Sequence, residues 1–515
     1  MLNIHEEATR CLLCKDAPCT KACKTGDVAR AIRAIRFDND KNAWRWFATC
    51  TDADLEQAEQ ACIHYDKPIR IREIVKALGC DVVQAERTGA ESKNLRKTET
   101  GEVNETKPSL AIDFCGIHCE NPFFLASSAI CTNYEMVARA FEAGWAGVFY
   151  KTICKQDIHE VSPRFDAIKR GTSFAGFRNM EQLSENPYEV DFEILHRLKQ
   201  NYPAKVVVAS IMGQFEEEWI ELAKMAEDAG CDAVELNFSC PQMRLAGMGS
   251  DIGQDPELVN FYTSYVKRSV KIPIIPKMTP NITQMTRPAM GAYFAGADAI
   301  SAINTIKSVT LSPKSEVNGK HTLSGYSGRA VKPIALRFIL EMAMDPVING
   351  SHGKPLEFSG IGGVETWRDA LDFIQLGCRN VQVCTAVMEY GYRIIDDLIM
   401  GMQTYLSERN ETAGEQTTNS QITLENLVGE KLPSFVLPSD LDRETMVYPT
   451  IHREICIGCG RCYISCQDGG HQAITFESDT RQPHIVGSKC VGCHLCRLVC
   501  PTGAIGMSKR FNKKR

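Results

Sequence analysis

Eight cysteines near the C-terminal end of the sequence are spaced like ligands of iron-sulfur clusters. They form two runs of the type CxxCxxCxxxC, CIGCGRCYISC and CVGCHLCRLVC. In such a run three thiolates from one tight loop bind one cluster, and the fourth reaches across to the other cluster. Zinc sites instead use two CxxC pairs that are well separated in sequence. The spacing predicts two 4Fe-4S clusters, one bound by Cys456, Cys459, Cys462 and Cys500 and the other by Cys490, Cys493, Cys496 and Cys466.

A second group of cysteines lies near the N-terminal end. CLLCKDAPCTKAC contains Cys11, Cys14, Cys19 and Cys23, and Cys50, Cys62 and Cys80 follow at wider spacing. In a large chain with a cytosolic character, such density indicates metal or cluster ligation rather than disulfides. A free cysteine is commonly a small buried hydrophobic residue, and we interpret Cys80 in that way.

Between these groups, short apolar runs rich in β-branched residues alternate with amphipathic segments of helical period. Several of the segments end in a glycine suited to the left-handed C-cap, as at Gly144, Gly230, Gly296 and Gly377. We count eight runs, and eight uninterrupted strand-helix units predict a closed (β/α)8 TIM barrel rather than an open Rossmann sheet. The apolar runs are FFLAS, GVFYKT, VVVASIM, AVELNFS, IIPKMT, AISAINT, LEFSGIGG and NVQVCTA.

The ends of these runs carry the polar residues from which a barrel enzyme builds its active site. SGIGGV and CTA place small residues and backbone amides where barrels bind phosphate. Clusters on the same chain must deliver electrons to a carrier that also transfers hydride, which indicates FMN. Lys151 and Lys277 would stabilise negative charge on the reduced ring. The predicted FMN-binding residues are Ser127, Ser128, Lys151, Thr152, Lys277, Gly362, Gly363, Cys384 and Thr385.

Many stretches of the barrel resemble the dihydropyrimidine dehydrogenase family. They are NPFFLASSA, FEAGW, SPR, ASIM, ELNFSCP, GQDPELV, KMTPN, AINT, SGRAVKPIALR and QVCTA. The resemblance covers nearly the whole barrel and the C-terminal clusters, and SGRAVKPIALR adds Ser327 and Gly328 to the expected FMN-binding residues. It implies reduction of uracil or thymine to the 5,6-dihydropyrimidine by hydride from FMN.

The resemblance also implies roles for individual residues. Cys240 in NFSCP matches the cysteine that supplies the proton, and a thiol of ordinary pKa, about 8.5, is mostly protonated at neutral pH. The alternative is a buried barrel thiol, but Pro241 and the glycine-rich GMGSDIG favour a loop at a strand end. Asparagine offers a donor and an acceptor that match a pyrimidinedione, although each could serve a structural hydrogen bond instead. The expected substrate-binding residues are Asn179, Glu181, Asn237, Ser239, Asn304 and Thr305.

CLLCKDAPC resembles the helical N-terminal iron-sulfur domain of the same family and of the glutamate synthase small subunit. The resemblance implies that Cys11, Cys14 and Cys19 take Cys62 as the fourth ligand of one cluster. A second cluster would use Cys23 and Cys50, but its next ligand position holds Glu56 and its last has no convincing counterpart. One or two N-terminal 4Fe-4S clusters are therefore expected.

The nicotinamide- and FAD-binding domains of the family each require a GxGxxG turn between strand and helix, and the sequence has none. The bacterial form in the family uses a separate flavoprotein subunit for this purpose. We therefore expect a FAD/NAD(P)H flavoprotein or a ferredoxin as the electron donor, with a homodimeric core or a heterotetramer. No nucleic-acid or membrane partner is expected.

Two other functions remain open. A dihydroorotate dehydrogenase-like FMN enzyme would need a cation for the substrate carboxylate, and the NFSCP match disfavours it. A non-catalytic electron-transfer subunit would use its barrel only as a scaffold for clusters. The set of Cys240, Lys151, Lys277 and Asn304 argues against that function, because a scaffold has no use for these groups.

The bulk composition limits the remaining classes. A net charge of -6 over 515 residues argues against a nucleic-acid-binding protein. The sequence has neither an apolar run long enough to cross a bilayer nor a signal-peptide pattern in MLNIHEEATR, so a cytoplasmic protein is expected. The predicted domains are a helical N-terminal iron-sulfur domain with its linker (1–106), an FMN-binding barrel (107–407), a linker (408–445) and an α+β two-cluster ferredoxin domain (446–515).

Overall fold

The computed structural model describes residues 3–79, 107–240, 249–311, 316–351, 353–414 and 421–512. Cys80 and Pro241 lie outside these residues, and so does the polar segment that precedes residue 107. The chain divides into two compact units, Met1–Leu432 and Pro433–Arg515. The N-terminal helices and the barrel therefore belong to one unit, and the domain boundaries given above stay a prediction.

The N-terminal part is helical because its apolar residues recur at helical spacing. In α3, Val28, Ile32 and Ile35 are buried on one face, and the Asp27 side chain accepts a hydrogen bond from the Arg30 N–H at the start of the helix. A capping box at Thr51 begins α5. The helices are α1 (Ile4–Arg10), α2 (Pro18–Ala22), α3 (Val28–Arg36), α4 (Asp40–Phe47), α5 (Asp52–Gln60) and α6 (Ile71–Ala77).

The central part is a closed barrel of eight parallel strands, which confirms the prediction of a TIM barrel. Each strand pairs with its neighbour around the barrel, and the last barrel strand along the chain closes the ring against the first. All eight apolar runs form these strands. They are β3 (Phe123–Leu125), β4 (Gly147–Phe149), β7 (Val206–Ile211), β8 (Ala233–Asn237), β9 (Ile274–Lys277), β10 (Ala299–Ala302), β13 (Glu357–Ile361) and β14 (Cys378–Val383).

Helices surround the barrel, and four of them are followed by the glycines that the sequence predicted at their C-terminal ends. Gly144, Gly230, Gly296 and Gly377 all have positive φ angles, between 83° and 113°. The helices of this part are α7 (Tyr134–Ala143), α8 (Tyr188–Asn201), α9 (Glu216–Asp228), α10 (Ser250–Gly253), α11 (Pro256–Ser269), α12 (Thr286–Phe294), α13 (Lys332–Ala343), α14 (Trp367–Gln375), α15 (Thr385–Tyr390) and α16 (Ile395–Gly414).

Two small sheets are added to the barrel, and the sequence analysis did not identify the first of them. The first contains β5 (Phe165–Arg170), β6 (Ser173–Asn179), β11 (Ile306–Ser308) and β12 (Ser324–Ser327) in the antiparallel order β11-β12-β6-β5. It is built from segments that follow barrel strands, so it lies at the barrel mouth. The second is a hairpin of β1 (Ile112–Phe114) and β2 (Ile117–Cys119). The Cys115 N–H donates to Glu357 at the start of β13, so this hairpin lies at the opposite end.

The C-terminal unit combines three antiparallel strand pairs with two helices, which fits the predicted α+β class. The pairs are β15 (Thr445–Met446) with β20 (Phe511–Asn512), β16 (Pro449–Ile451) with β19 (Ile505–Met507), and β17 (Ile474–Glu477) with β18 (Gln482–Ile485). The helices are α17 (Arg461–Gly469) and α18 (Leu495–Leu498). In the part of the chain that the structure describes, no helix is long and apolar enough to span a membrane.

Candidate functional site

A large cavity opens at the C-terminal ends of the barrel strands. It encloses about 1160 Å³ including its open mouth, enough for a cofactor and a small ring substrate. Every residue that the sequence analysis assigned to FMN lines it. These are Ser127, Ser128, Lys151, Thr152, Lys277, Ser327, Gly328, Gly362, Gly363, Cys384 and Thr385.

One end of the cavity has the features of a phosphate site. Gly328, Gly362 and Gly363 all have positive φ angles there, and α15 begins beside them at Thr385. A Cβ at Gly363 would lie 2.8 Å from the Lys332 Cβ and 3.0 Å from the Gly328 carbonyl oxygen, so only glycine fits this turn. Small residues and backbone N–H groups at the ends of the last two strands suit the phosphate of FMN.

A network of hydroxyl and amide groups forms the floor of the cavity. The Thr152 hydroxyl lies 3.1 Å from the Ser127 hydroxyl and 2.9 Å from the Ser210 hydroxyl, and it accepts a hydrogen bond of 2.9 Å from the Asn237 amide. The Cys384 thiol donates to the Ser128 hydroxyl. Burial raises the pKa of Cys384 to about 11, so this thiol stays neutral.

Two buried lysines bring positive charge into the cavity, and each has one carboxylate partner. Lys151 Nζ lies 3.0 Å from Glu181 Oε1, and Lys277 Nζ lies 3.5 Å from Glu235 Oε1. Glu235 also accepts a hydrogen bond from Ser210, and it is completely buried. The sequence analysis missed Glu235, although a charged residue in the middle of the apolar strand AVELN was a signal for it.

The predicted substrate-binding residues converge on the same cavity. Asn179, Glu181, Asn237, Asn304 and Thr305 line it. Ser239 is not among its lining residues, and its hydroxyl connects two of them instead. It donates to Asn237 Oδ1 at 2.9 Å and accepts from the Asn304 amide at 2.8 Å. Ser239 thus fixes the orientation of the two asparagine side chains.

Cys240 is buried and lines the cavity. Its carbonyl oxygen accepts a hydrogen bond of 3.0 Å from the Ser250 N–H. Residues 241–248 lie outside the described part of the chain, and so does the start of GMGSDIG. The loop predicted to follow Cys240 therefore lies outside the described residues.

Several lining residues were missed because they come from the unrecognised sheet at the barrel mouth. Phe174 and Phe177 on β6 stack with ring centroids 5.7 Å apart, and Tyr326 on β12 lines the same wall. The aromatic residues of SFAGFRN, which favour strands, were the available sequence signal. Gln382 on β14 was also missed, and its Oε1 is buried without a hydrogen-bond partner in the described structure.

The C-terminal unit contains two cavities of about 340 Å³, and each is bordered by four cysteines. The first quartet is Cys466, Cys490, Cys493 and Cys496, and the second is Cys456, Cys459, Cys462 and Cys500. The three positions of each run thus meet the fourth cysteine of the other run, as the spacing predicted. Each cavity is lined by thiols with apolar surroundings, which fits a sulfur-ligated cluster.

The N-terminal unit brings Cys11, Cys14, Cys19 and Cys62 together around a cavity of about 410 Å³. Among the described residues, no three cysteine, histidine or acidic side chains are close enough to share one metal ion. Four thiols around one cavity fit a sulfur-ligated cluster.

Cys23 and Cys50 have a different arrangement. Their Sγ atoms lie 3.4 Å apart, and the Cys50 thiol is also 3.5 Å from the Trp46 carbonyl oxygen. Burial raises the pKa of Cys50 to about 12. Glu56 lies on the exposed face of α5. The two thiols are in contact with each other, and their role as ligands of a second cluster stays a prediction.

Comparison with known proteins gives two matched families. Residues 109–406 match the dihydroorotate dehydrogenase family, and residues 449–507 match the 4Fe-4S dicluster domain. The NAD-dependent dihydropyrimidine dehydrogenase subunit PreA of Escherichia coli is 48% identical over 412 residues, which cover 79% of this chain and 97% of that protein. The chloroplastic dihydropyrimidine dehydrogenase (NADP(+)) of Arabidopsis thaliana is 36% identical, over 65% of this chain and 80% of that protein. The catalytic subunit of dihydroorotate dehydrogenase B (NAD(+)) of Pyrococcus furiosus is 34% identical, over 58% and 94%.

Proposed function

This chain belongs to the dihydroorotate dehydrogenase family and, within it, to the dihydropyrimidine dehydrogenases, and we propose that it reduces uracil or thymine to the 5,6-dihydropyrimidine. One observation carries the proposal. One cavity at the barrel mouth is lined by Lys151 and Lys277, whose charges suit a reduced flavin. The same cavity is lined by Cys240 and by the amide side chains of Asn237 and Asn304. An electron-transfer scaffold would not require this combination.

FMN in this cavity would supply the hydride for the reaction. Gly328, Gly362, Gly363 and the start of α15 would hold its phosphate through backbone N–H groups. Lys151 and Lys277 would stabilise the negative charge of its reduced ring. The buried carboxylates of Glu181 and Glu235 keep the two ammonium groups in place.

The amide side chains would recognise the pyrimidine. A pyrimidinedione alternates carbonyl and N–H groups, and Asn179, Asn237 and Asn304 each offer one donor and one acceptor. Glu181 would accept a ring N–H, and Thr305 would bind beside Asn304. Ser239 would position the two asparagines without contacting the substrate, because its hydroxyl forms hydrogen bonds with both Asn237 and Asn304.

Cys240 would act as the general acid. Saturation of the ring C=C bond needs one hydride and one proton, and the two are added to different carbons. The thiol of Cys240 would donate the proton to the carbon that does not receive the hydride, and its thiolate would then recover a proton from solvent. Cys384 also lines the cavity, but its thiol donates a hydrogen bond to the Ser128 hydroxyl. Its raised pKa makes it a weaker acid than an ordinary thiol.

We propose three clusters for the electron supply: the two C-terminal quartets and one N-terminal quartet of Cys11, Cys14, Cys19 and Cys62. The relative from E. coli is named as a subunit, which supports a FAD/NAD(P)H flavoprotein partner as the electron source. A ferredoxin remains the other donor, and a homodimeric core or a heterotetramer the assembly. We keep 1–106, 107–407, 408–445 and 446–515 as the proposed domains.

The charges in the cavity bear on the choice between a neutral pyrimidine and dihydroorotate. Of the described residues that line the cavity, the cations Lys151, Lys277 and Arg329 are each paired with a carboxylate. The partner of Arg329 is Glu365, at 2.7 Å. A substrate carboxylate would have to compete with these partners, whereas uracil and thymine carry no charge.

Anaerobic reduction of the purified chain by dithionite tests this function. Uracil, thymine or orotate is then added while the flavin absorbance is followed, and a Cys240→Ala variant is measured in parallel. We expect uracil or thymine to reoxidise the flavin in the parent protein and much more slowly in the variant. Reoxidation by orotate alone would favour the dihydroorotate dehydrogenase activity. A chain that binds clusters but no flavin would contradict both enzymes.

A further inference from the structure

The segment that carries Glu181 is held by three backbone N–H groups to the connection between β4 and β5. On the N-terminal side of Glu181, the Met180 N–H donates to the Arg164 carbonyl oxygen at 2.9 Å. On its C-terminal side, the Ser184 N–H donates to the Thr152 carbonyl oxygen at 2.8 Å. These two bonds flank Glu181 in sequence, so they limit the movement of the backbone from which its side chain extends.

The acceptor of the third bond is a side chain. The N–H of Gln182 donates to Glu160 Oε1 at 2.6 Å, and Gln182 directly follows Glu181. The carboxylate of Glu160 thus has the place that a backbone carbonyl oxygen has in the other two bonds. A charged acceptor forms shorter and stronger hydrogen bonds than a neutral one, so this bond holds the segment firmly.

The carboxylate of Glu160 is unfavourable for local stability. Its Oε2 is buried and has no hydrogen-bond partner among the described residues. Burial raises the pKa of Glu160, although the Gln182 N–H and the positive charge of Lys151 act in the opposite direction. A buried polar atom without a partner lowers stability and calls for an explanation. Packing alone would favour an apolar side chain at this position, which indicates a role in the site.

We propose that Glu160 is a positioning residue of the substrate site, which fixes Glu181 through the backbone of Gln182. The proposal rests on the proposed function, in which the Glu181 carboxylate accepts a ring N–H of the pyrimidine. Glu181 and Gln182 both line the cavity, whereas Glu160 is not among the described residues that line it. Glu160 thus acts through its neighbours and makes no contact with the substrate.

The side chain of Glu181 needs this support because it has two partners. Its Oε1 lies 3.0 Å from Lys151 Nζ, and in the proposed function the same carboxylate also binds the substrate. A binding group must be held within about 0.5 Å of its productive position. Without the bond to Gln182, the backbone beside Glu181 would be free to shift, and the carboxylate could leave the substrate while it stays paired with Lys151.

Three variants of the full chain with its clusters and flavin test this role. Glu160→Ala removes the acceptor, and Glu160→Gln keeps an oxygen acceptor of the same reach without the charge. Glu227→Ala is the matched control. Glu227 also accepts a backbone N–H, from Lys271 at 2.7 Å, but Lys271 precedes β9 at the end of the barrel opposite the cavity. Glu160→Asp, whose side chain is one methylene shorter, replaces the alanine variant if that variant fails to fold.

Binding and turnover of uracil are measured separately, binding from the change in flavin absorbance. We expect Glu160→Ala to raise the dissociation constant of uracil by about tenfold, which corresponds to about 1.4 kcal/mol. The KM should rise with little change in kcat, because the variant loses binding that the ground state and the transition state share. Glu160→Gln should stay within about threefold of the parent, because it retains a neutral hydrogen bond. Glu227→Ala should bind uracil like the parent.

A double-mutant cycle with Glu181→Ala separates positioning of Glu181 from a general loosening of the cavity. A residue that acts through Glu181 loses its effect when that side chain is absent, so Glu160→Ala should then change the dissociation constant by less than about twofold. Additive effects of the two substitutions, or equal uracil affinity of Glu160→Ala and the parent, would overturn the proposal. A parent protein whose flavin absorbance does not respond to uracil would instead contradict the proposed function, before any variant is compared.

Discussion

The ammonium group of Lys151 lies 3.0 Å from the carboxylate of Glu181 inside the flavin cavity, and both side chains are at least nine-tenths buried. Lys151 follows the second barrel strand, whereas Glu181 follows the β5-β6 ribbon. The pair thus joins the cofactor side of the cavity to the side proposed for the substrate. A buried charge that loses its partner is costly, so the pair is sensitive to a change at either residue.

Replacement of Glu181 by glutamine should weaken uracil binding. The neutral amide is a poorer acceptor for a ring N–H than a carboxylate, and we expect a loss of about 2 kcal/mol in binding free energy. The dissociation constant follows from the change in flavin absorbance on titration with uracil. Glu185→Gln is the control, because Glu185 pairs with Arg164 at 3.4 Å and is half-exposed. Equal affinity of the Glu181→Gln and parent proteins would remove Glu181 from the substrate site.

Replacement of Cys240 by alanine should abolish most of the proton transfer. General acid catalysis contributes about 10²–10⁴-fold to rate, so kcat for uracil should fall by about that factor. Flavin and iron content should not change, because the Cys240 side chain is assigned to neither. The matched control is Cys231→Ala, which removes another buried barrel thiol that does not line the cavity. Similar kcat values for the two variants would contradict the role of Cys240.

Iron and acid-labile sulfide content should distinguish one N-terminal cluster from two. Cys62→Ser should lose one cluster, because Cys62 borders the N-terminal cavity with three other cysteines. Cys23→Ser and Cys50→Ser should retain the full content, because these two thiols contact each other at 3.4 Å. Loss of iron in the Cys23 or Cys50 variants would instead establish a second cluster there.

The stability of the chain should fall with rising pH through the titration of Asp397. This carboxyl is buried and forms an ion pair with Arg33, whose Nε lies 2.7 Å from Oδ2. Burial raises its pKa from 3.8 to about 6, only partly opposed by the Arg33 charge. The raised pKa contributes stability that is fully present below pH 3.8, the ordinary pKa of the group, and is lost as the pH rises through about 6. The difference of about 2 pKa units, at about 1.36 kcal/mol per unit, corresponds to about 3 kcal/mol of unfolding free energy.

Thermal unfolding midpoints from about pH 4 to about pH 7 measure this effect. Asp397→Asn should flatten the decline over that interval. Asp396→Asn is the control, because Asp396 is half-exposed and lies 3.4 Å from the same arginine. An unchanged slope in the Asp397 variant would assign the pH dependence to other groups.

Much of the fold follows from local sequence patterns. The eight apolar runs and the glycines at Gly144, Gly230, Gly296 and Gly377 predict the barrel, because strand burial and left-handed C-caps are local requirements. The sheet at the barrel mouth was missed. Its strands β6 and β12 are 145 residues apart, counted from Asn179 to Ser324, and pairing between distant segments leaves little trace in local periodicity.

Some residues of the candidate site were likewise predictable from the sequence, and others were not. Residues at strand ends, such as Lys151 and Lys277, were predictable because all strands of a barrel end at one mouth. Phe174 and Tyr326 were not, because they reach the cavity from the unrecognised sheet. The charge of Glu235 is visible within its apolar strand, but its pairing with Lys277 on the next strand was not predictable from the sequence.

The sequence by itself determined the barrel, the C-terminal cysteine quartets and the chemical types of the groups at the strand ends. These depend on spacing along the chain, which hydrophobic burial and cluster geometry translate directly into structure. Only the tertiary structure decided which buried charges are paired and that the Ser239 hydroxyl forms hydrogen bonds with two asparagines. The same holds for the contact between Cys23 and Cys50 and for the hydrogen bond from Arg36 to the Cys11 carbonyl oxygen. These contacts join residues far apart in sequence, and their distances depend on how whole elements pack.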